Sequence, residues 1–489
     1  MKLKVCMLSA EVAPFAKTGG LADVTGALSK YLDGAGHDLR LFMPLYSHID
    51  RLALEIHRVD FLQDLPLEFG GHRYRYSVWS ARLPNSDARC YLIDCPVLYA
   101  RDGIYTRDVD EHLRFLALTR ATIECCQRMA WSPQIFHCND WHTAFGPVLL
   151  QSVYSWDRLF AGTKTAITIH NIGYQGVFAA AAAADVGLGN QSYLLHQADL
   201  AAGRVNSLKH GLMYADSIIT VSPTYANEIL TEQLGMGLQE NLRARQASLV
   251  GILNGVDYDD WDPRWDRFLP KNYGVYELAA KEELKQELLQ RLALRAAPRA
   301  PLLGIVSRMT AQKGFDLLFD CLPSLLSKRD ASLAVLGSGD KVYEDFFAHL
   351  QRQFPQRVVF HRGYSELLAH WIEAASDLFI MPSLYEPCGL NQMYSLRYGT
   401  IPIVRRTGGL ADSVHIYDPA TGTGDGVVFD NFNGEAMAWA LNTALDLYAQ
   451  PQHWQRMVRN AMTQDYSWAK QGPLYVQLYE RMIAQSPGT

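Results

Sequence analysis

The chain has 489 residues, 48% hydrophobic and 20% charged, with a formal net charge of -6. That length exceeds what one hydrophobic core usually supports, so two domains are expected, and the small, scattered charge excludes the electrostatic footprint of a nucleic-acid or anionic-membrane binder. Eight cysteines with no CxxC pair fit reduced thiols, and without an apolar run of membrane-spanning length or a signal-peptide pattern in Met1–Ala10 a cytoplasmic protein is expected.

In chain order, Val5–Leu8 reads as a strand, Glu11–Gly20 as a glycine-ended loop and Leu21–Leu32 as a helix. Similar apolar runs follow at Leu39–Met43, Cys90–Ile93, Gln134–His137, Thr165–Ile169 and Ser217–Val221. The second half repeats the pattern at Leu302–Val306, Ser332–Leu336, Arg357–Phe360, Leu378–Met381 and Ile401–Val404. Near-continuous apolar strands alternating with helices predict an α/β protein with parallel sheets covered on both faces. Ile252–Pro270 is rich in Asp, Trp, Asn and Pro without periodicity, which places the boundary nearby, with a linker around 244–254 and domains at 1–245 and 246–489. Trp468–Ile483 reads as a helix, and the tail from about 466 to 489 is expected to pack back on the N-terminal domain.

One six-residue string occurs twice: Thr18-Gly19-Gly20-Leu21-Ala22-Asp23 recurs as Thr407-Gly408-Gly409-Leu410-Ala411-Asp412. The separation is too long for a solenoid period, so the string reads as two half-chains, each with a Gly-Gly turn before a helix. Backbone can come close to a ligand at such a turn. The expectation is one ligand held between two α/β domains.

Sites in open parallel sheets lie beyond the carboxyl ends of the strands. Five stretches qualify: the Lys17 loop, Asp140 after His137, His170-Asn171, Ser307-Arg308 through Lys313-Gly314, and Glu386-Pro387-Cys388-Gly389-Leu390. Arg308 and Lys313 beside a glycine fit a clamp for a diphosphate, Arg supplying forked donors and Lys a mobile point charge. A solvated strand-to-helix loop is the plainer alternative for the same residues.

Lys17-Thr18-Gly19-Gly20-Leu21-Ala22-Asp23-Val24 resembles the N-terminal signature of bacterial glycogen synthases and plant starch synthases. Asp140-Trp141-His142, Ile252-Leu253-Asn254-Gly255-Val256-Asp257, Arg308 with Lys313, Glu386-Pro387-Cys388-Gly389-Leu390-Asn391-Gln392 and Arg405-Arg406-Thr407-Gly408-Gly409 are similar to further blocks of that family, in the same order. The resemblance implies the GT-B architecture, two Rossmann-like domains facing across a cleft, and a retaining glucosyltransferase that adds glucose from ADP-glucose to the non-reducing end of an α-1,4-glucan. It implies no cofactor and no metal.

Such a transfer builds negative charge on the leaving diphosphate and positive charge on the sugar, and donors aimed at developing charge are usually the largest catalytic contribution. By the family pattern Arg308 and Lys313 grip the distal phosphate. The helix opening at Gly389, Leu390 and Asn391 suits the other phosphate, and Lys17, Gly19 and Gly20 complete the cradle from the opposite domain, which makes domain closure a requirement. The resemblance assigns Glu386 to the glucose hydroxyls, and His170 to a place beside the anomeric carbon or the 6-hydroxyl. It puts Asp140, Asn171, Asn254, Glu11, Asp23 and Tyr105 along the same cleft and stacks Tyr364 on the nucleotide base. Asp140 as a covalent nucleophile is not adopted: for glycosyltransferases of this fold the resemblance favours front-face attack, with the leaving phosphate taking the acceptor proton. A second Glu, eight residues after the first in many relatives, is here Tyr394.

Other signals are read plainly. His137-Cys138-Asn139-Asp140-Trp141-His142 has metal-ligand residue types, but a strand end points them in different directions. Asp108-Val109-Asp110 mimics a metal-binding DxD and reads as a solvated turn. Gly337-Ser338-Gly339 lacks the third glycine of a dinucleotide turn. Cys388 reads as a packing residue. A UDP-glucose-dependent α-glucan synthase and a non-catalytic glucan-binding protein are the rival functions; an α-glucan phosphorylase would need a far longer chain. The expected partners are ADP-glucose and glycogen, with no nucleic acid and no membrane, and oligomeric state is left open.

Overall fold

In the computed structural model, residues 2–295, 297 and 299–484 are described. The chain forms two units, one running to Gly255 and taking in the helix from Trp468, the other spanning Val256–Ser467.

The N-terminal unit carries β1 (Lys4–Leu8), β2 (Asp38–Pro44), β3 (His57–Arg58), β4 (Leu65–Phe69), β5 (His72–Arg82), β6 (Arg89–Asp94), β7 (Ile135–Asn139), β8 (Lys164–Ile169), β9 (Val177–Ala179), β10 (Arg204–Asn206), β11 (Ser217–Thr220) and β12 (Leu249–Gly251). The main sheet runs β12-β11-β8-β7-β1-β2-β6-β5-β3, with β4 on β5. From β12 to β6 every pairing is parallel. Their apolar residues are buried on both faces, as in β1, where Val5, Cys6, Met7 and Leu8 are fully enclosed.

Beyond β6 the sheet departs from the expected parallel order: β5, β3 and β4 are antiparallel. These strands are half-exposed, so they lack the continuous apolar runs of the others. The β4–β5 hairpin turns at Gly70 and Gly71, with φ of +55° and +85°, the double left-handed pair that a two-residue turn of matching twist demands.

The C-terminal unit carries β13 (Leu302–Met309), β14 (Ser332–Gly339), β15 (Val358–Arg362), β16 (Leu378–Met381), β17 (Ile401–Arg405) and β18 (Val427–Phe429). They form one sheet, β15-β14-β13-β16-β17-β18, parallel throughout. Numbered within the unit, this is the doubly wound order 3-2-1-4-5-6, and β6-β2-β1-β7-β8-β11 repeats it in the N-terminal unit. The order reverses between β1 and β7 in one sheet and between β13 and β16 in the other. Ligands of such sheets bind in the crevice at that reversal. In the C-terminal unit β13 pairs with β16 only at Leu303 and Gly304 while its pairing with β14 continues to Met309, so the two strands part and leave that crevice.

The irregular stretch after Val256 is pinned to the C-terminal unit. Asp266 Oδ2 accepts from His370 Nδ1 (2.8 Å) and Tyr398 Oη (2.6 Å), and Trp261 stacks between His370 and Tyr394, with ring centroids 3.7 and 4.0 Å away. The Trp468–Ala484 helix packs on the Gly20–Gly34 helix of the N-terminal unit. Gly472 permits the approach, since a Cβ there would stand 2.2 Å from the Tyr31 ring. Among the described residues no helix is long and apolar enough to cross a membrane.

Candidate active site

In the N-terminal unit the reversal between β1 and β7 gathers three loops. After β1 the chain turns at Ser9, and the buried Glu11 carboxylate holds the first copy of the repeated string. It accepts from Thr18 Oγ1 (2.7 Å) and from the Gly19 amide (3.3 Å), and it takes closer bonds from the Thr18 amide and the Tyr105 hydroxyl. Glu11 and Tyr105 therefore act on the loop itself. Lys17 Nζ lies 2.7 Å from Asp23 Oδ1, in the first turn of the helix that the string opens.

After β7, Asp140 takes the left-handed conformation, φ +53°, uncommon for a residue with a side chain. Its Oδ1 accepts from the His170 amide at 2.7 Å and, more weakly, from the Asn171 amide at 3.4 Å. Burial pushes this carboxyl up to about 7, against the pull of those two donors. Burial also drives the His170 imidazole down to about 3, so it is neutral at physiological pH.

Its tautomer follows from Asn139, a residue the sequence reading did not single out. Asn139 Nδ2 donates to the Leu8 carbonyl (2.9 Å), which leaves Oδ1 to accept from His170 Nε2 at 2.9 Å. The proton sits on Nε2 and the Nδ1 lone pair is left over. Adjacent to Asp140, His142 stacks on the Tyr105 ring at 5.0 Å, and its Nδ1 is buried without a partner among the described residues. Asn254, just beyond β12, is also buried, its Oδ1 equally unpartnered among the described residues. Among the described residues no hydrogen bond from its Oδ1 ties it to Asp140 or His170. His137 is a joist: Nδ1 meets Tyr479 Oη and Nε2 meets Thr168 Oγ1, both at 2.7 Å. Asp108 and Asp110 both pair with Arg101, at 2.7 and 2.6 Å.

In the C-terminal unit the predicted donor residues converge at the parting of β13 and β16. Arg308, at the end of β13, is exposed, and its guanidinium has no hydrogen-bond or ion-pair partner among the described residues. Lys313 Nζ lies 2.6 Å from Glu386 Oε2, which also accepts from Ser383 Oγ at 2.9 Å. The two loops are stitched together: the Leu384 amide donates to the Gln312 carbonyl (2.9 Å), and a Cβ at Gly314 would stand 2.1 Å from the Pro382 carbonyl oxygen.

Glu386 leads into Cys388, a buried packing residue, and Gly389, whose φ is +72°. The Asn391–Tyr398 helix follows. The amides of Gly389, Leu390 and Asn391 donate to nothing among the described residues, so the helix presents open donors with its positive end. Behind this loop stands the second copy of the string. The Gly409 amide donates to the Glu386 carbonyl at 3.1 Å, and a Cβ on Gly408 or Gly409 would stand 1.9 or 2.1 Å from the carbonyl oxygens of Glu386 or Cys388. Arg405 Nε braces the Ser383 carbonyl at 2.9 Å.

Tyr364 is 66% exposed in the turn after β15. The preceding Gly363 donates to the Gly337 carbonyl at 3.0 Å, which sets that turn beside Gly337-Ser338-Gly339. Gly337 is small because β13 is close: a Cβ there would stand 2.0 Å from the Ser307 carbonyl oxygen. Tyr394 is buried and stacks on Trp261, ring centroids 4.0 Å apart.

Known proteins resemble this chain along its whole length. Residues 4–244 match the starch synthase catalytic domain family, and residues 289–462 match the glycosyl transferases group 1 family. A glycogen synthase of Koribacter versatilis is 41% identical over 484 residues, 98% of this chain and 98% of that protein. One of Thermotoga maritima is 40% identical over 489 residues, 99% of each chain. The catalytic domain of Starch Synthase IV from Arabidopsis thaliana, solved bound to ADP and acarbose, superposes with a TM-score of 0.92 at 33% identity, covering 99% of this chain and 100% of that one. The chain belongs to the glycogen synthase family, within the glycosyltransferases.

Proposed function

We infer that this chain is a glycogen synthase that transfers glucose from ADP-glucose to the non-reducing end of an α-1,4-glucan with retention of configuration. The observation that carries the reading is the cation and amide cluster at the parting of β13 and β16. Arg308, Lys313 and the open amides of Gly389–Asn391 form a receptor for a diphosphate whose charge grows as the glycosidic bond breaks. In this reading Lys313, paired with Glu386 at 2.6 Å, turns to the distal phosphate while Glu386 takes the glucose hydroxyls. Lys17, with Gly19 and Gly20, adds to the phosphate cradle. Tyr364 stacks on the base.

On the sugar side, neutral His170 offers a lone pair at Nδ1 and a proton fixed at Nε2 by Asn139. That suits a hydrogen bond to a glucose hydroxyl and leaves the developing positive charge unopposed by an imidazolium. Asp140 has its Oδ1 occupied by the His170 amide, and burial raises its pKa, so it is a weak nucleophile at neutral pH and better placed as an orienting group. Front-face attack, with the leaving phosphate taking the acceptor proton, needs no protein nucleophile. Asn171, Asn254, Asp23, Glu11 and Tyr105 shape the sugar and acceptor region.

Adenine is favoured over uracil by the relative solved with ADP. The eight cysteines all lie within the described residues and form no disulfide, which fits a reducing cytoplasm. Glycogen is the partner, and neither nucleic acid nor membrane is required.

The test is donor choice. The protein is incubated with glycogen and either ADP-glucose or UDP-glucose, in EDTA, and nucleotide release and glucan extension are measured. Transfer from ADP-glucose is expected. No transfer from either donor would overturn the enzymatic reading, and a strict metal requirement would overturn the cation clamp.

A further inference from the structure

The donor residues of the C-terminal unit rest on a carboxyl group to which none of the roles above is given. Glu373, near the end of the Glu366–Ala375 helix, is wholly buried. Its Oε1 accepts from Asn391 Nδ2 at 3.3 Å and its Oε2 from Ser395 Oγ at 2.6 Å. Asn391 and Ser395 are four residues apart, so they share one face of the Asn391–Tyr398 helix. The same Asn391 Nδ2 reaches the Val306 carbonyl at 3.4 Å, on β13, two residues before Arg308. Asn391 thus ties the first turn of the amide-presenting helix to the strand that carries the guanidinium, and the Glu373 carboxyl group holds Asn391.

Its own backbone is anchored from behind. Thr400 Oγ1 donates to the Glu373 carbonyl at 2.5 Å and accepts from Lys281 Nζ at 2.7 Å, and Lys281 also donates to the Ala374 carbonyl at 2.8 Å. Tyr273 Oη donates to the Ala374 carbonyl at 3.1 Å. A buried carboxyl costs stability unless it is hydrogen-bonded, and it favours the uncharged acid. The titratable groups facing this one are Lys281, Tyr273 and Tyr398; Asp377 is engaged with Lys285 at 2.7 Å. Burial pushes the Glu373 carboxyl up to about 8 and Lys281 down to about 7. As the acid, Glu373 accepts from Asn391 at Oε1 and carries its proton on Oε2, donated to Ser395 Oγ, so it braces Asn391 without adding negative charge behind the helix opening.

We propose that Glu373 is a positioning residue for donor binding: its carboxyl group fixes Asn391, and through it the opening of the helix and the end of β13, in the arrangement that takes the donor's diphosphate. This rests on the glucosyltransferase reading above. Ionisation of Glu373 sets its charge behind the diphosphate site and weakens donor binding.

The experiment compares wild type, Glu373→Gln, Glu373→Ala, Asn391→Ala and Glu373→Ala/Asn391→Ala. ADP binding is measured by calorimetry, and KM and kcat for ADP-glucose are measured from about pH 6.5 to about 9, a range that brackets the titration. Glu373→Ala is expected to raise the ADP Kd and the donor KM about tenfold, and the double variant to bind no more weakly than Asn391→Ala, because the two act as one unit. Wild-type KM is expected to rise above about pH 8, whereas Glu373→Gln, which keeps an acceptor for Asn391 and a donor toward Ser395 and cannot ionise, stays flat. Identical pH profiles for wild type and Glu373→Gln would overturn the proposal. So would a Glu373→Ala protein with a lowered Tm but an unchanged Kd. If Glu373→Ala does not fold, the glutamine comparison decides alone. Should wild type transfer no glucose from either donor, the functional reading fails, while ADP binding by the same variants still decides the role of Glu373.

Discussion

The two copies of Thr-Gly-Gly-Leu-Ala-Asp share six letters and do different work. In the first, the buried Glu11 carboxylate gathers the Thr18 hydroxyl and the Thr18 and Gly19 amides, and a Cβ built on Gly19 meets nothing within 4 Å. In the second, Gly408 and Gly409 lie directly against the carbonyls of Glu386 and Cys388, where a Cβ would stand at 1.9 and 2.1 Å. The first copy is held by a side chain and leaves open space beside its glycine. The second is a packing surface that sets the Glu386–Cys388 loop from behind. A motif therefore records a shared local shape, a turn into a helix, while the partner that meets the turn decides its use.

The sharpest way to break the comparison is Gly408→Ala. A methyl group there collides with backbone at a φ of +42°, so a loss of about 3 kcal/mol or more is expected, read as a lower urea midpoint. A stable Gly408→Ala protein would mean that the second copy has the same freedom as the first. Next in size, Lys313→Ala and Arg308→Ala are each expected to lower kcat about a hundredfold or more, the scale for losing a charge-stabilising donor. Steady-state kinetics decides this, because a change confined to KM would place both residues in ground-state binding.

A smaller effect is a pH dependence in the N-terminal unit. The Asp140 carboxyl titrates near 7 in the folded chain, above its ordinary 3.8. Between those values the folded chain keeps a proton that the unfolded chain has released. Stability should therefore fall as pH rises from about 4 to about 7, by at most about 1.4 kcal/mol per pH unit, and level off above. Asp140→Asn should remove that slope in denaturation curves taken across the range, and an unchanged slope would assign it elsewhere. The smallest change is Gly19→Ala. Its φ of -165° is open to any residue and its Cβ has room, so stability should stay within about 0.5 kcal/mol. A loss of donor affinity without loss of stability would identify Gly19 as a ligand-facing residue.

Some of this was plain from residue order and some was not. The parallel strands were legible because strands buried on both faces read as unbroken apolar runs, such as Leu302–Val306 within β13. The antiparallel strands β3 to β5 were missed because half-exposed strands carry only a weak alternation, although Gly70-Gly71 was a hairpin signal in plain view. Lys313 and Glu386 were legible as separate motif residues, yet their 2.6 Å pairing joins positions 73 residues apart. Asn139, quoted only as part of the His137–His142 stretch, was given no role and Glu373 was not picked out, since local order does not say which distant groups they meet.

By itself, then, the sequence determined parallel α/β sheets, because unbroken apolar runs are local properties, and its motifs carried the family by resemblance. Only the tertiary structure decided which of two histidines near one loop is structural. His137 has both nitrogens taken, one by Tyr479 at a distance of 342 residues, while His170 has one fixed by Asn139 and one left over. It also decided that one Thr-Gly-Gly turn leaves room beside its glycine and the other braces a loop. Both outcomes depend on which distant backbone and side chains come within hydrogen-bond or van der Waals reach, and local order along the chain does not encode that.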